Sequence, residues 1–213
     1  PWGRGAPYQE FGSAAIRCSV ADEFGKLNLN VLVDAETAAP AGSDAQNQDT
    51  PADEDDGDEE QEDDEGDYRT GPELIEEALR QLFIARGVEW DPVDAIMDWM
   101  DNDDDTRPAG YESQDLTGEE LASSIKNGPL DSIEELLLVP GMTQEIFFGI
   151  EGEEQAPLSE LLTVHGHPEG RINANTAPRE VLEAIGQALG RADLAGVVLN
   201  SRQDAPFQSE DDL

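Results

Sequence analysis

The clearest hydrophobic pattern lies in the second half of the chain, where apolar residues recur at helical spacing. Residues 71–87, GPELIEEALRQLFIARG, carry apolar side chains at positions 74, 75, 78, 79, 82 and 83, with Pro72 near the start. This spacing places them on one face of an amphipathic helix. Residues 91–100, DPVDAIMDWM, predict a second helix, with Asp91 as N-cap and Pro92 in the first position.

Three more helical segments follow. Residues 131–150, DSIEELLLVPGMTQEIFFGI, predict two helices joined by a tight Pro-Gly turn, as in a helix-hairpin-helix element. Residues 175–190, NTAPREVLEAIGQALG, predict a helix capped by Asn175 or Thr176. A last helix is predicted in residues 192–202, ADLAGVVLNSR, before the loop QDAPFQSEDDL.

The first 36 residues show the alternation of β-strands instead. Residues 13–20, SAAIRCSV, and residues 26–33, KLNLNVLV, are strand-like, and ADEFG between them predicts a turn. In the second run, one face is apolar and consists of Leu27, Leu29, Val31 and Val33. The whole pattern predicts an α+β fold, in which a fragment of sheet is attached to a larger all-α domain.

Charge separates a further segment, residues 37–69. From Asp53 to Asp67, twelve of fifteen positions are Asp or Glu. Such a segment cannot bury enough apolar area to offset its ordering entropy, which favours a disordered acidic insert over a cation-binding or docking tail. We therefore divide the chain into a strand segment at 1–36, the insert at 37–69, a helical domain at 70–170 and a helix-hairpin-helix-like subdomain at 171–213.

The whole chain is strongly acidic, with 12 basic and 50 acidic residues and a net charge of −38. Such a surface repels phosphate backbones and concentrates cations. Nucleic acid is therefore disfavoured as a partner, although the helix-hairpin-helix pattern leaves a nucleic-acid-binding module as the alternative function. A divalent cation is favoured.

The sequence shows no recognisable catalytic machinery. His165 and His167 lie in the Gly/Pro-containing loop TVHGHPEG, which predicts an exposed turn, and the single cysteine, Cys18, stands in a strand-like run. Neither a nucleophile elbow nor a phosphate-binding loop nor a zinc signature is present. We expect a protein that is not an enzyme.

The sharpest local signal is an acidic loop after the second helix. Within the twelve residues 101–112, carboxylates occupy positions 1, 3, 5 and 12, the ligand spacing of an EF-hand. Thr106 at position 6 and Pro108 at position 8 argue against an EF-hand as such. The alternatives are an acidic Ca²⁺ loop and a merely solvated run of charge. The predicted metal ligands are Asp98, Asp101, Asp103, Asp104, Asp105 and Glu112.

Four segments in the same order resemble one known family. They are ADEFGKLNLNVL, AIMDWMDNDDD followed by GYES, NGPLDSIEELLLVPGMTQEIF, and RINANTAPREVLEAI. These segments resemble the minor pseudopilins of the K type in bacterial type II secretion systems. The resemblance covers nearly the whole chain apart from residues 37–69.

The resemblance implies a fold, a place and partners. The fold would be a fragment of a pseudopilin sheet with a large inserted all-α domain that contains helix-hairpin-helix-like elements. The place would be the tip of a periplasmic pseudopilus, working with the I- and J-type minor pseudopilins. Calcium would be bound in the helical domain, in the region 98–112. Anchoring in the inner membrane would need an N-terminal hydrophobic helix that this chain does not contain.

Overall fold

The computed structural model describes residues 9–11, 14–16, 20–33, 71–115, 125–150, 152 and 155–208. The predicted insert at 37–69 and Cys18 lie outside these residues. The helices are mixed with short strands, which confirms the mixed character of the predicted fold. The α-helices are α1 (Gly71–Ala85), α2 (Pro92–Met100), α3 (Gln144–Phe148), α4 (Leu158–Leu161), α5 (Arg179–Ala188) and α6 (Leu194–Asp204).

The described strands form two separate two-stranded sheets. Strand β1 (Gln9–Phe11) pairs antiparallel with β2 (Ala14–Ile16). Strand β3 (Leu27–Asn28) pairs in parallel with β4 (Leu162–Thr163), in the register Leu27 to Leu162. The pairing of β3 with β4 joins the first strand segment to residues more than a hundred positions later. Whether the helices form an inserted all-α domain with helix-hairpin-helix elements stays a prediction, as does the division of the chain into four regions.

Helix α1 is the centre of the core, as its periodicity predicts. Ile75, Ala78, Leu79, Leu82 and Phe83 are all at most 2% exposed. The apolar stripe packs against α5 and α2 and against residues Leu29–Leu32. Each fully buried Ile, Leu or Phe side chain contributes roughly 1.5–3 kcal/mol to the free energy of unfolding, so this stripe stabilises the packing of the helices around it.

The predicted strand at residues 26–33 is only partly correct. Extended backbone ends at Asn28, and Leu29–Leu32 form a 3-10 helix. The cause is local, because the Asn28 side chain accepts a hydrogen bond from the Asn30 backbone amide at 3.2 Å and caps the helix. Residues between the predicted apolar positions are buried as well, since Asn28 is 5% and Leu32 6% exposed. The Asn30 side chain is also bonded, to both backbone groups of Leu130.

The predicted pair of helices in residues 131–150 also differs from the structure. Residues Ile133–Leu138 form a 3-10 helix rather than an α-helix, and only the short α3 follows the turn. Gly141 in that turn has φ +86°, and a β-carbon there would collide with the Trp90 indole. Trp90 therefore packs on the turn. Its close approach requires the glycine.

The predicted cap of α5 is wrong. The helix begins at Arg179, after Pro178. Thr176 instead donates its hydroxyl hydrogen bond to the Asp22 carboxylate at 2.7 Å, and Asn173 donates its amide to the same group at 2.9 Å. These two side chains are used to fasten the strand segment to the last helical region. The sequence pattern of a cap could not distinguish this long-range use from a local one.

Candidate metal centre

Helix α2 presents a row of three carboxylates to the loop that follows it. Asp94, Asp98 and Asp101 are spaced by four and then three residues, so they lie on one face of the helix. Asp91 caps the helix as predicted, accepting a hydrogen bond from the Val93 amide at 3.0 Å. The Asp98 side chain is 0% exposed, and that of Asp101 is 12% exposed.

The loop folds back onto this row through its own backbone amides. The Arg107 amide donates to Asp98 Oδ2 at 3.1 Å, and the Ala109 amide donates to Asp94 Oδ2 at 3.2 Å. A β-carbon at position 110 would collide with the Asp98 carboxylate, so the close return of the chain requires Gly110. These contacts bring Glu112 against the helix, where it is 0% exposed.

Three carboxylates converge as a result. One oxygen each from Asp98, Asp101 and Glu112 lies within 4.8 Å of the other two. Asp98 Oδ1, Asp101 Oδ1 and both oxygens of Glu112 are buried without a hydrogen-bond partner among the described residues. Buried native carboxylates are normally paired or hydrogen-bonded, because leaving them bare costs several kcal/mol. Such a group of buried carboxylate oxygens is an arrangement that could hold a metal ion.

Burial, together with neighbouring charges, raises the pKa values of these three carboxylates. Burial, reinforced by the charges of Asp101 and Asp98, raises the pKa of Glu112 to about 7. Burial, followed by the charges of Asp103 and Asp98, raises the pKa of Asp101 to about 6. Burial also raises the pKa of Asp98, although the amide of Arg107 opposes the shift. All three directions show that the cluster disfavours its own negative charge.

The structure brings together only part of the predicted ligand set. Asp103, Asp104 and Asp105 are exposed in the loop. Asp103 Oδ1 accepts a hydrogen bond from the Asp105 amide at 2.8 Å, and this bond closes a local turn within the loop. The carbonyl of Arg107, at position 7 of the twelve residues, accepts a hydrogen bond from the Gly110 amide at 3.0 Å. That these exposed carboxylates bind metal stays a prediction.

Two residues that position the loop were not predicted from the sequence. Asp94 joins the Ala109 amide to Arg80 of α1, whose Nη2 lies 2.8 Å from Asp94 Oδ1. Burial would raise the pKa of Asp94, but these hydrogen bonds outweigh it and leave the pKa below its ordinary value. Asp115 ties the loop together by accepting from the Thr106 hydroxyl at 2.7 Å and the Glu112 amide at 3.0 Å. The position of Asp94, one turn before Asp98, was the available signal.

The two histidines take no part in this cluster. His165 is exposed, as predicted. His167 is half-buried, and its Nδ1 accepts a hydrogen bond from the Glu169 amide at 3.1 Å. Its backbone carbonyl accepts from the Asn28 side chain. These contacts make the loop a packing element beside β3.

The donor set fits a hard cation. Every candidate ligand atom is a carboxylate oxygen, and neither sulfur nor imidazole belongs to the group of three. Oxygen-only sites suit Ca²⁺ and Mg²⁺ rather than zinc or copper. Such an ion would satisfy the bare oxygens of Asp98, Asp101 and Glu112 and offset their mutual repulsion.

The acidic loop and the helix before it also lie within a recognisable family pattern. Residues 25–151 match the family described as "Type II secretion system (T2SS), protein K". The chain belongs to this family. The matched region includes α1, α2 and the whole candidate metal centre, so the resemblance noted in the sequence is confirmed. The family places the chain among the components of a protein-secretion system.

A solved structure supports the fold independently of that pattern. The chain is similar to a chain of the crystal structure of the GspK-GspI-GspJ complex from the enterotoxigenic Escherichia coli type 2 secretion system. The TM-score is 0.57 at 18% sequence identity, and the match covers 99% of this chain. It covers 60% of the solved chain, so this chain corresponds to little more than half of it. At this identity the likeness shows the fold.

Other comparisons add less. No curated protein sequence gives a significant match. Helices long and apolar enough to cross a membrane do not occur in the part of the chain that the structure describes. The alternative of a helix-hairpin-helix module that binds nucleic acid gains no support from the family or the structural match.

Proposed function

We propose that this chain is a calcium-stabilised structural subunit at the tip of the type II secretion pseudopilus, and that it has no enzymatic activity. The observation that carries the proposal is the family match over residues 25–151. The match includes the acidic loop, so the candidate metal centre belongs to the part of the chain that defines the family. The subunit supports export of proteins across the outer membrane.

The case for calcium rests on buried charge. Asp98, Asp101 and Glu112 place three carboxylates within a few ångströms of one another, and Asp98 and Glu112 are fully buried. A buried carboxylate without a partner destabilises the folded state. A divalent cation bound between the three carboxylates would offset this free-energy cost by electrostatic attraction. Calcium is favoured over magnesium because it accepts irregular oxygen shells, whereas magnesium requires a near-ideal octahedron. Metal binding is therefore coupled to folding of the loop.

The case for partners comes from the solved relative. The similar chain was crystallised in a complex of GspK, GspI and GspJ. We infer that this chain assembles with the corresponding I- and J-type minor pseudopilins. Its place is periplasmic, with anchoring in the inner membrane supplied in the full-length protein by an N-terminal helix. In that assembly the predicted strand segment at 1–36 contributes to the pseudopilin sheet, and the helices form the inserted domain.

Calcium titration tests the metal proposal. We expect calorimetry at pH 7.5 to show saturable Ca²⁺ binding, with Mg²⁺ much weaker. Thermal unfolding in excess chelator should show a lower Tm than in 1 mM Ca²⁺, roughly 5–10 °C lower for a stabilisation of about 2–3 kcal/mol. Magnesium at equal ionic strength is the control. An unchanged melting curve in chelator would contradict calcium stabilisation.

A binding assay tests the structural role separately. The purified chain should co-elute with the soluble domains of its own I- and J-type pseudopilins in calcium, and more weakly in chelator. A major pseudopilin domain from the same system is the control. Tight binding to duplex DNA in a low-salt gel shift would instead favour the nucleic-acid alternative.

A further inference from the structure

One cation already faces the candidate metal centre, the guanidinium of Arg107. Its Nε lies 3.5 Å from Asp98 Oδ1 and 3.9 Å from Asp101 Oδ2. Both distances permit an ion pair, yet Asp98 Oδ1 keeps no hydrogen-bond partner among the described residues. The charge of Arg107 therefore reaches the cluster without satisfying its oxygens.

Arg107 differs in this respect from Arg80, which also pairs with carboxylates of the α2 region. Arg80 is held by Glu76 and Asp94 at 2.8 Å each, and it also pairs with Asp91. Its donors are engaged, and its position is fixed between α1 and α2. The Arg107 side chain is 37% exposed and makes only the two long ion pairs recorded among the described residues. Its partial exposure leaves it room to turn to solvent when a divalent cation takes its place beside the carboxylates.

The side chain and the backbone of Arg107 also act separately. The backbone amide holds the loop on Asp98 at 3.1 Å, and this bond does not depend on the guanidinium. Substitution of the side chain therefore leaves the return of the loop in place. What changes is the charge beside the carboxylates.

We propose that Arg107 is a built-in counter-cation that competes with the metal ion at this centre. This inference rests on the proposed calcium site. The guanidinium offsets part of the repulsion among Asp98, Asp101 and Glu112 and so stabilises the metal-free loop. The same positive charge repels a divalent cation a few ångströms away, whether the guanidinium stays or turns outward. Arg107 thus lowers the affinity for the metal ion. It also reduces the difference in folding stability between the metal-free and the metal-bound chain.

The test compares calcium affinity and metal-free stability in one set of variants of the full chain. Arg107→Gln and Arg107→Met remove the charge and keep much of the side-chain stem. Calorimetric titration with Ca²⁺ should show affinity tightened on the order of tenfold, because a screened charge at this distance contributes about that much. In chelator, the same variants should melt at a lower temperature than the wild type.

Two further variants serve as controls. Arg107→Lys keeps the charge and should bind calcium within about threefold of the wild type. Arg179→Gln removes a positive charge from an exposed pair with Glu183 and should leave both measurements unchanged. Opposite signs for affinity and metal-free stability are the result that a merely structural arginine would not give, because its loss would weaken both.

The outcomes separate this inference from the proposed function. Unchanged or weaker calcium binding by Arg107→Gln, with normal binding by the wild type, would overturn the counter-cation role alone. A variant that fails to fold even in calcium would also overturn it, since calcium should replace the lost charge. A wild-type chain that binds no calcium would overturn the proposed metal site itself, and this inference with it.

Discussion

Two carboxylate clusters in this chain differ in how their partly or fully buried negative charge is stabilised. Around Lys126, the ammonium nitrogen lies 2.7 Å from Asp131 and 2.7 Å from Glu135, and Glu135 also accepts amide hydrogen bonds from Asp131 and Ser132. Burial would raise the pKa of Glu135, but these bonds outweigh it and leave the pKa below its ordinary value. Donors of the chain itself, the Lys126 ammonium and two backbone amides, therefore satisfy the Glu135 carboxylate.

The candidate metal centre lacks such internal donors for four of its buried oxygens, as far as the described residues show. The Arg107 guanidinium lies 3.5 Å from Asp98 without forming a hydrogen bond, and burial raises the pKa of Glu112 to about 7. The contrast shows that acidic composition alone does not make a metal site. A cluster becomes one when folding buries carboxylate oxygens and leaves them without donors, so that an external cation is the favourable partner.

The largest expected effect comes from Glu112→Gln. The amide keeps the shape but removes one of three charges, so calcium affinity should fall on the order of a hundredfold, about 2.7 kcal/mol. In chelator the variant should be at least as stable as the wild type, because repulsion is relieved. Calorimetry and thermal unfolding measure the two effects. Asp105→Asn, in the exposed part of the loop, is the matched control. An equal loss there would show that the exposed carboxylates are ligands and would break the comparison.

Loss of the internal cation should come next. Lys126→Met leaves Glu135 without its partner in a partly buried position, so the free energy of unfolding should fall by about 2 kcal/mol. Denaturant unfolding with and without calcium measures this. Calcium should not restore the loss, and Lys126→Met/Glu135→Met should restore part of it. If calcium restored the free energy of unfolding of Lys126→Met, the cluster around Lys126 would also respond to an external cation, and the contrast between the two clusters would fail.

A smaller effect is expected for the residue that ties α1 to the loop. Asp94→Asn keeps an acceptor for the Ala109 amide but weakens the ion pair with Arg80, so calcium affinity should fall about tenfold through loss of positioning. Glu76→Gln is the control, because it breaks another pair of Arg80 that does not reach the loop. If both variants lowered the affinity equally, α1 would matter as a whole and Asp94 would have no separate role.

The smallest effect concerns pH. Acids whose pKa is higher in the folded than in the unfolded state bind more protons when folded, so stability rises as pH falls between the two values. For the pKa values of Glu112 and Asp101, this window extends from about 7 and about 6 down to the ordinary values of 4.5 and 3.8. In chelator, the Tm should therefore rise by roughly 2–4 °C from pH 8 to pH 5, as about 1 kcal/mol produces. Saturating calcium should abolish the rise, and Glu112→Gln should reduce it. A fall in Tm over this range in chelator would be inconsistent with the buried cluster.

The sequence predicted most where a local rule decides the outcome. Helix α1, with its stripe from Ile75 to Phe83, and the Asp91 cap of α2 follow from periodicity and capping, and both are confirmed. The 3-10 helix at Leu29–Leu32 was missed, because alternation predicts a strand and the capping bond of Asn28 overrides it. The cap of α5 was missed because Thr176 is engaged by Asp22, a residue 154 positions away.

By itself, the sequence determined that an acidic loop follows a capped amphipathic helix, and four ordered segments were enough to identify the family. Which carboxylates meet was decided only by the tertiary structure. Asp98, Asp101 and Glu112 converge because backbone amides of the loop bond to the helix and Gly110 allows the close return, whereas Asp103, Asp104 and Asp105 remain exposed. The sequence shows which carboxylates are available in this part of the chain. Burial and the absence of nearby donors, which depend on contacts between distant residues, decide where that charge needs a cation.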